Sequence, residues 1–342
     1  MLRKLLFGAT ALYLAAAAGW VVLAGVVRTG GQVELLNVAC DPTRELWRDL
    51  NGRFTAHYEL ETGTAVTIRQ SHGGSSSQAR SVIEGLDGDV LTLALWTDTD
   101  AVRKAGLLDD GWEAKLPNRS LPYVSTIVFV VRKGNPKGLR DWPDLAQPGV
   151  QVITPNPKTS GNGKWSFLAM WGAVLKRGGS EAEARAYVTA VYEQVPILDT
   201  AARGASGTFK DKNIGDVLLA WENEAHLDVQ KSGGTLEIVY PPISVLAEPH
   251  VALVDRVVER KGTRAVAEAY LNYLYTEDAQ AVMAHHYYRP TLEAVQLRTA
   301  DRFPPIELFQ PRSVGGTWDE IQKRFFAEGG EFDRMLARKG AK

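Results

Sequence analysis

Small hydroxyl and glycine residues recur in this sequence where helices are expected to begin. One start reads Asp41-Pro42-Thr43, a second Ser71-His72-Gly73-Gly74-Ser75-Ser76-Ser77-Gln78, and a third Pro155-Asn156-Pro157-Lys158-Thr159-Ser160-Gly161-Asn162-Gly163-Lys164. The first turn of a helix has backbone N–H groups without intrahelical partners and carries a partial positive charge, so it attracts anions. Glycine lets the backbone approach a ligand closely, and a serine adds a hydroxyl donor. Asp41 suits an N-cap, with Pro42 at the first helical position. Two further stretches fit the same chemistry. The small residues of 199–204 can expose a backbone N–H, and Trp221 ends an apolar run with an indole N–H that only donates. Each feature has an ordinary counterpart: a capped helix, a Gly-Ser linker, a core tryptophan.

Other chemistries find less support. Ser75 with His72 invites a hydrolase reading, yet the loop lacks G-x-S-x-G and offers no third orienting residue. His72 is then expected to make a structural hydrogen bond beneath the loop. The third start lacks the GxxxxGK[ST] spacing of a phosphate loop. Glu222 and Glu224 read as a solvated face or as lobe-surface contacts, not as acid–base partners. His285 and His286 are adjacent without metal-ligand spacing, and the single cysteine, Cys40, has no companion for a disulfide or a zinc site. Cys40 reads as a small buried residue at a strand end. No catalytic residue, metal or cofactor is expected, and the protein is not expected to be an enzyme.

The elements that must hold these residues alternate along the chain. Strands are expected at 33–38, 65–68, 90–95, 126–131, 150–153, 217–220, 237–240 and 251–254. Helical faces are Leu46/Trp47/Leu50/Phe54, Ala79/Val82/Ile83/Leu86, Leu168/Trp171/Leu175 and Val266/Tyr270/Tyr273/Leu274. This order argues for an α/β architecture with largely parallel sheets, in which ligands sit beyond the carboxyl ends of the strands. Apolar strands at 125–131 and 246–254 are expected to cross between two lobes. The 342 residues suffice for two domains at roughly 100–200 residues each. A net charge of −1 points to neither nucleic acid nor an anionic membrane, so an anion must be caught by local geometry. Arg3 and Lys4 precede an uncharged run over 5–27, which reads as a cleaved export signal, with an uncleaved membrane anchor as the alternative.

Together these stretches resemble the sulfate-binding proteins of bacterial ABC importers. LLNVACDPTREL, QSHGGSSSQA, DVLTLAL, STIVFVVRKGNPK, VITPNPKTSGNGKW, GDVLLAWENEA, LAEPHVALVD, AYLNYLY and YYRP occur in family order from Leu35 onward. The resemblance implies a two-lobed periplasmic-binding-protein (type II) fold with a hinge and a central ligand cleft. Residues 1–31 would be the export segment, 32–125 plus 249–306 lobe 1, 126–248 lobe 2, and 307–342 a C-terminal segment packing across the lobes. It further implies that sulfate is held mostly by main-chain donors, with a serine hydroxyl and a tryptophan N–H, the contacts falling on Asp41 through its backbone N–H, Ser75, Ser160, Gly161, Ala202 and Trp221, with Gly74, Asn162 and Arg203 as secondary positions. Asn162 stands where the family often has glycine, Lys164 where it often has arginine, and Ser77 where it often has lysine. DPTREL and LAWENE lean toward the sulfate branch, and KTSGN toward thiosulfate.

The implied role is a periplasmic, monomeric solute-binding protein that delivers sulfate to an ABC permease and its ATPase, with thiosulfate or both anions as the alternative. A membrane-tethered sensor would use the same cleft but keep the N-terminal run. Sulfate near neutral pH has no proton, so a cleft of donors alone satisfies it, whereas protonated phosphate would lack an acceptor. An inward carboxylate at Asp41 would reverse that preference. Its side chain is expected to point away and cap its own helix.

Overall fold

The computed structural model describes residues 32–340, so the expected export signal lies outside the described residues. The chain builds two lobes, each around a four-stranded sheet. In the first, β1 (Val33–Cys40) lies between β2 (Val66–Gly73) and β3 (Val90–Thr92), with β10 (Val251–Leu253) at the edge. β1 runs parallel to both β2 and β3, and β10 is antiparallel to β3. In the second, the order is β6 (Val152–Ile153), β7 (Val217–Trp221), β5 (Ile127–Arg132) and β8 (Leu236–Val239). β6 is parallel to β7, but β5 is antiparallel to both β7 and β8. The expectation of largely parallel sheets therefore fails in the second lobe. β5 enters that sheet straight from the first lobe instead of through a helical crossover, and so it opposes β7.

The lobes are joined where β4 (Tyr123–Val124) pairs with β11 (Arg289–Pro290) and Ser125 bridges Ala247. Residues 246–254 do not form one crossing strand. Ala247 bridges Ser125 and β10 pairs with β3, but Pro249 lies between them and has no N–H to continue a ladder. The chain then returns to the second lobe, where β12 (Glu307–Phe309) adds in parallel to β9 (Ile243–Val245).

Helices cover both faces. In α1 (Arg44–Thr62), Leu46, Trp47, Leu50 and Phe54 are buried as their spacing predicts, and Gly63 ends the helix at φ +71°. In α2 (Ser75–Ile83), Ala79 and Val82 are buried, but Ile83 is 42% exposed and Leu86 lies beyond the helix. The helix has only nine residues, about two and a half turns, so it ends at Ile83 and does not reach Leu86. After α3 (Trp96–Lys104) come α4 (Gly161–Leu175), α5 (Glu181–Glu193), α6 (Ala202–Lys210) and α7 (Glu222–Lys231). Every residue of α4 from Gly161 to Ala173 is buried, so it has no solvent face. One side faces the sheet, and the other is roofed by the C-terminal segment. Trp318 meets Trp165 edge-on at 5.7 Å, and Phe325, Phe326 and Phe332 surround Phe167.

Candidate anion-binding site

The helix starts singled out in the sequence meet between the lobes. Gly74 is the N-cap of α2, and Ser75 its first residue. A Cβ on Gly74 would overlap Thr159 O and lie 3.1 Å from Thr200 O. A Cβ on Gly161, the first residue of α4, would overlap Ala94 Cβ and lie 3.1 Å from Ser75 Cβ. The two glycines thus let the starts of α2 and α4, one from each lobe, abut. The start of α6 is tied to the same place: Thr159 Oγ1 donates to Thr200 O at 2.7 Å, and Asn156 N to Asp199 O at 2.8 Å.

The donors can be assigned one by one. Ser75 is 1% exposed, and its Oγ accepts from Ala94 N at 3.0 Å, which leaves the hydroxyl proton to donate elsewhere. Gly161 and Asn162 occupy the first turn of α4, where amides have no intrahelical acceptor. Ala202 opens α6 after an extended Ala201. Trp221 ends β7 fully buried, and its Nε1 has no hydrogen-bond partner among the described residues. Ser160 departs from the expected main-chain pattern. Its amide donates to Asn156 O at 2.9 Å, and its Oγ caps α4 by accepting from Gly163 N at 3.4 Å, so only its hydroxyl proton remains available.

Asp41 corrects a further expectation. Its carboxylate does not cap its own helix, because Cys40 is the N-cap of the 3₁₀ turn Asp41–Thr43 and Asp41 lies inside that turn. The side chain instead reaches the other lobe, where Oδ2 accepts from Arg203 N, in the first turn of α6, at 2.9 Å. Oδ1 accepts from Arg44 at 2.6 Å. Both oxygens therefore already carry donors, and the Asp41 amide sits in the opening turn.

The nearby charges are likewise committed. Arg203 lies between Glu45, on Oε1 at 3.2 Å and also on Oε2, and Glu224 at 2.7 Å. Burial alone would raise the Glu45 carboxyl, but the Arg203 guanidinium holds it at about 2. Glu224 is pushed up to about 8 by burial, with Arg203 opposing that rise. Glu222 and Glu224 are both buried, against the solvated-face reading. Glu222 pairs with Arg289 at 2.7 Å, bridging the lobes. Lys164 bonds Asp98 at 2.6 Å, both side chains 4% exposed. Asn162 is accommodated as a helical residue, its Nδ2 donating to Leu219 O at 3.0 Å, and Ser77 faces solvent. A guest anion at this junction would meet oriented amides, hydroxyls and an indole instead of an unpaired cation.

The hydrolase alternative loses its base. The His72 ring lies 3.4 Å from Cys40 O through Nδ1 and bonds Gln70 through Nε2, while Ser75 is engaged with Ala94. Burial, helped by Arg44, lowers the His72 pKa. Cys40 is buried at the end of β1, and burial raises its thiol pKa. Sequence reasoning missed two organising residues. Ala94 holds Ser75 through its N–H and accepts Trp165 Nε1 across the lobes at 2.9 Å. Asn156 joins the α4 and α6 loops. Ala94 acts through its backbone and carries no local signal, whereas Asn156, whose Oδ1 also accepts from Lys158 N at 2.9 Å, is a turn-forming residue whose link to the α6 loop is set by a distant partner.

Three comparisons bear on this geometry. A family model described as bacterial extracellular solute-binding protein matches residues 36–289. The sulfate-binding protein of Salmonella typhimurium is 51% identical over 308 residues, covering 90% of this chain and 94% of that one. The thiosulfate-binding protein of Pseudomonas aeruginosa is 48% identical over 305 residues, covering 89% and 92%. Among solved structures, the sulfate-binding protein SubI from Mycobacterium tuberculosis matches with a TM-score of 0.78 at 31% identity, covering 86% of this chain and 99% of that one.

Proposed function

Because this chain belongs to the bacterial extracellular solute-binding protein family, we propose that it captures sulfate between its lobes and delivers it to an ABC importer. The observation that carries this reading is the donor set: a buried, unpartnered indole N–H at Trp221 beside helix-start amides at Asp41, Gly161 and Ala202 and the free hydroxyl proton of Ser75. Both oxygens of the one carboxylate among these residues, Asp41, are already engaged. Such a cleft suits a tetrahedral dianion without a proton, and it disfavours a guest that must donate one. The relatives named sulfate-binding, at 51% and 31% identity, support sulfate as that guest.

On this reading lobe 1 comprises residues 32–125 and 249–306, lobe 2 residues 126–248, and residues 307–342 pack across them. The protein is an exported, periplasmic monomer and not an enzyme. Sulfate bridges the lobes, favours the closed form and presents that form to a permease driven by an ATPase.

Thiosulfate is a second reading, favoured by the 48% identical thiosulfate-binding relative. Its oxygens ask for the same donors. Calorimetric titration of the ligand-free protein separates the two. One-to-one binding of sulfate is expected, with thiosulfate competing for the same site. Heat from neither anion would overturn the proposal, and thiosulfate binding far tighter than sulfate would replace it with the second reading.

A further inference from the structure

We infer that Lys158 is the positioning residue of the second-lobe anion donors, and that the C-terminal segment acts on the site through it. The inference rests on the sulfate reading above. Lys158 sits in the turn that leads into α4, two residues before Ser160. Its ammonium reaches away from the cleft. Nζ donates to Phe326 O at 3.0 Å, to Ala327 O at 3.2 Å and to Asp333 Oδ2 at 2.8 Å. All three acceptors belong to the C-terminal segment. The two carbonyls close the π-helix Gln322–Phe326, an irregular turn of the kind often found at functional sites. A lysine at a helical C-terminus satisfies such carbonyls and complements their partial negative charge.

The backbone around Lys158 passes that anchor to the donors. Its own N–H bonds Asn156 Oδ1 at 2.9 Å. The Asn156 carbonyl receives Thr159 N at 3.1 Å and Ser160 N at 2.9 Å, while Asn156 N holds the α6 loop through Asp199 O at 2.8 Å. A Cβ on Gly163 would fall 2.5 Å from Pro155 O, so the turn is folded tightly onto the first turn of α4. Lys158, Asn156 and the turn thus fix where Gly161, Asn162 and Ala202 point. A side chain behind the donors typically changes affinity without touching the ligand.

The test compares the full-length wild type with Lys158→Met, which keeps the apolar stem and removes the ammonium. Sulfate is titrated calorimetrically, its release is timed by stopped-flow, and amide exchange is followed over residues 156–163. Lys158→Met is expected to weaken sulfate about tenfold, through faster release and faster exchange in that loop, with exchange in α2 unchanged. Lys158→Arg, able to keep the carbonyl and Asp333 bonds, is expected to restore most of the affinity. If Lys158→Met does not fold, Asp333→Asn takes its place, with a loss of about threefold expected. Wild-type sulfate binding matched within about twofold by folded Lys158→Met, or by Asp333→Asn in its place, overturns the inference alone, because a merely structural lysine would change melting and not release. A wild type that binds no sulfate overturns the functional reading and the inference with it.

Discussion

At the scale of single residues, the account turns on donors that the protein itself leaves unpaired. Trp221 Nε1 is the clearest, since a fully buried indole N–H without an acceptor carries a free-energy cost of about 1–3 kcal/mol. That cost is relieved only when an acceptor enters the cleft. Trp221→Phe should therefore weaken sulfate by about 5- to 150-fold, while the ligand-free protein keeps or gains thermal stability. Calorimetry and a melting curve on the same sample check both signs, and a variant that loses stability while keeping affinity would make Trp221 a plain core residue. Ser75, Gly161 and Trp221 were legible in the sequence because each adjoins a helix start or strand end that local patterning reveals, whereas Ala202, at the start of α6, is singled out only through the family resemblance. The direction of the Asp41 carboxylate was not legible. Its partner, the Arg203 amide, is 162 residues away, and a cap read from neighbours alone assigns Asp41 to its own helix. The burial of Glu222 and Glu224 escaped for the same reason, because Arg289 and Arg203 come from elsewhere in the chain.

At the scale of elements, glycine decides how closely helix starts of opposite lobes approach. Gly161 has no positive φ to explain it. What it supplies is the absence of a Cβ where Ala94 and Ser75 press against α4. Gly161→Ala should leave each lobe folded, yet hold the α4 start away from α2. A loss of sulfate affinity of about 100-fold is expected from a displacement of the order of an ångström, with melting lowered by only a few degrees. Unchanged affinity would show that the starts of α2 and α4 need not touch. Elements were read well where period and flanks agreed, as in α1 and β1. They were read poorly where tertiary packing overrode the pattern. α4 is buried on every side by a segment far along the chain, so its apolar stripe said little about which way it faces. The antiparallel β5 looks in sequence like any other apolar strand of an alternating α/β chain.

At the scale of the whole molecule, the lobes are connected both through the hinge pairing and across the cleft. Arg203 N to Asp41, Trp165 Nε1 to Ala94 O and Asn223 Nδ2 to Pro42 O all span it. The two-lobed plan was foreseeable from the alternating elements and the family resemblance. The return of the chain to roof α4, and the anchoring of Lys158 on that roof, were not, because the aromatic residues of 318–332 show no periodic pattern that names their partner. These contacts bear on the central proposal, that the closed cleft presents its guest with proton donors such as the Trp221 indole and the Ser75 hydroxyl. Competition calorimetry of sulfate against phosphate at neutral pH tests it most directly. One unmet phosphate O–H, at about 1–3 kcal/mol, should leave phosphate roughly 5- to 150-fold weaker than sulfate. Phosphate bound as tightly as sulfate, or more tightly, would require an acceptor in the cleft and would contradict the account.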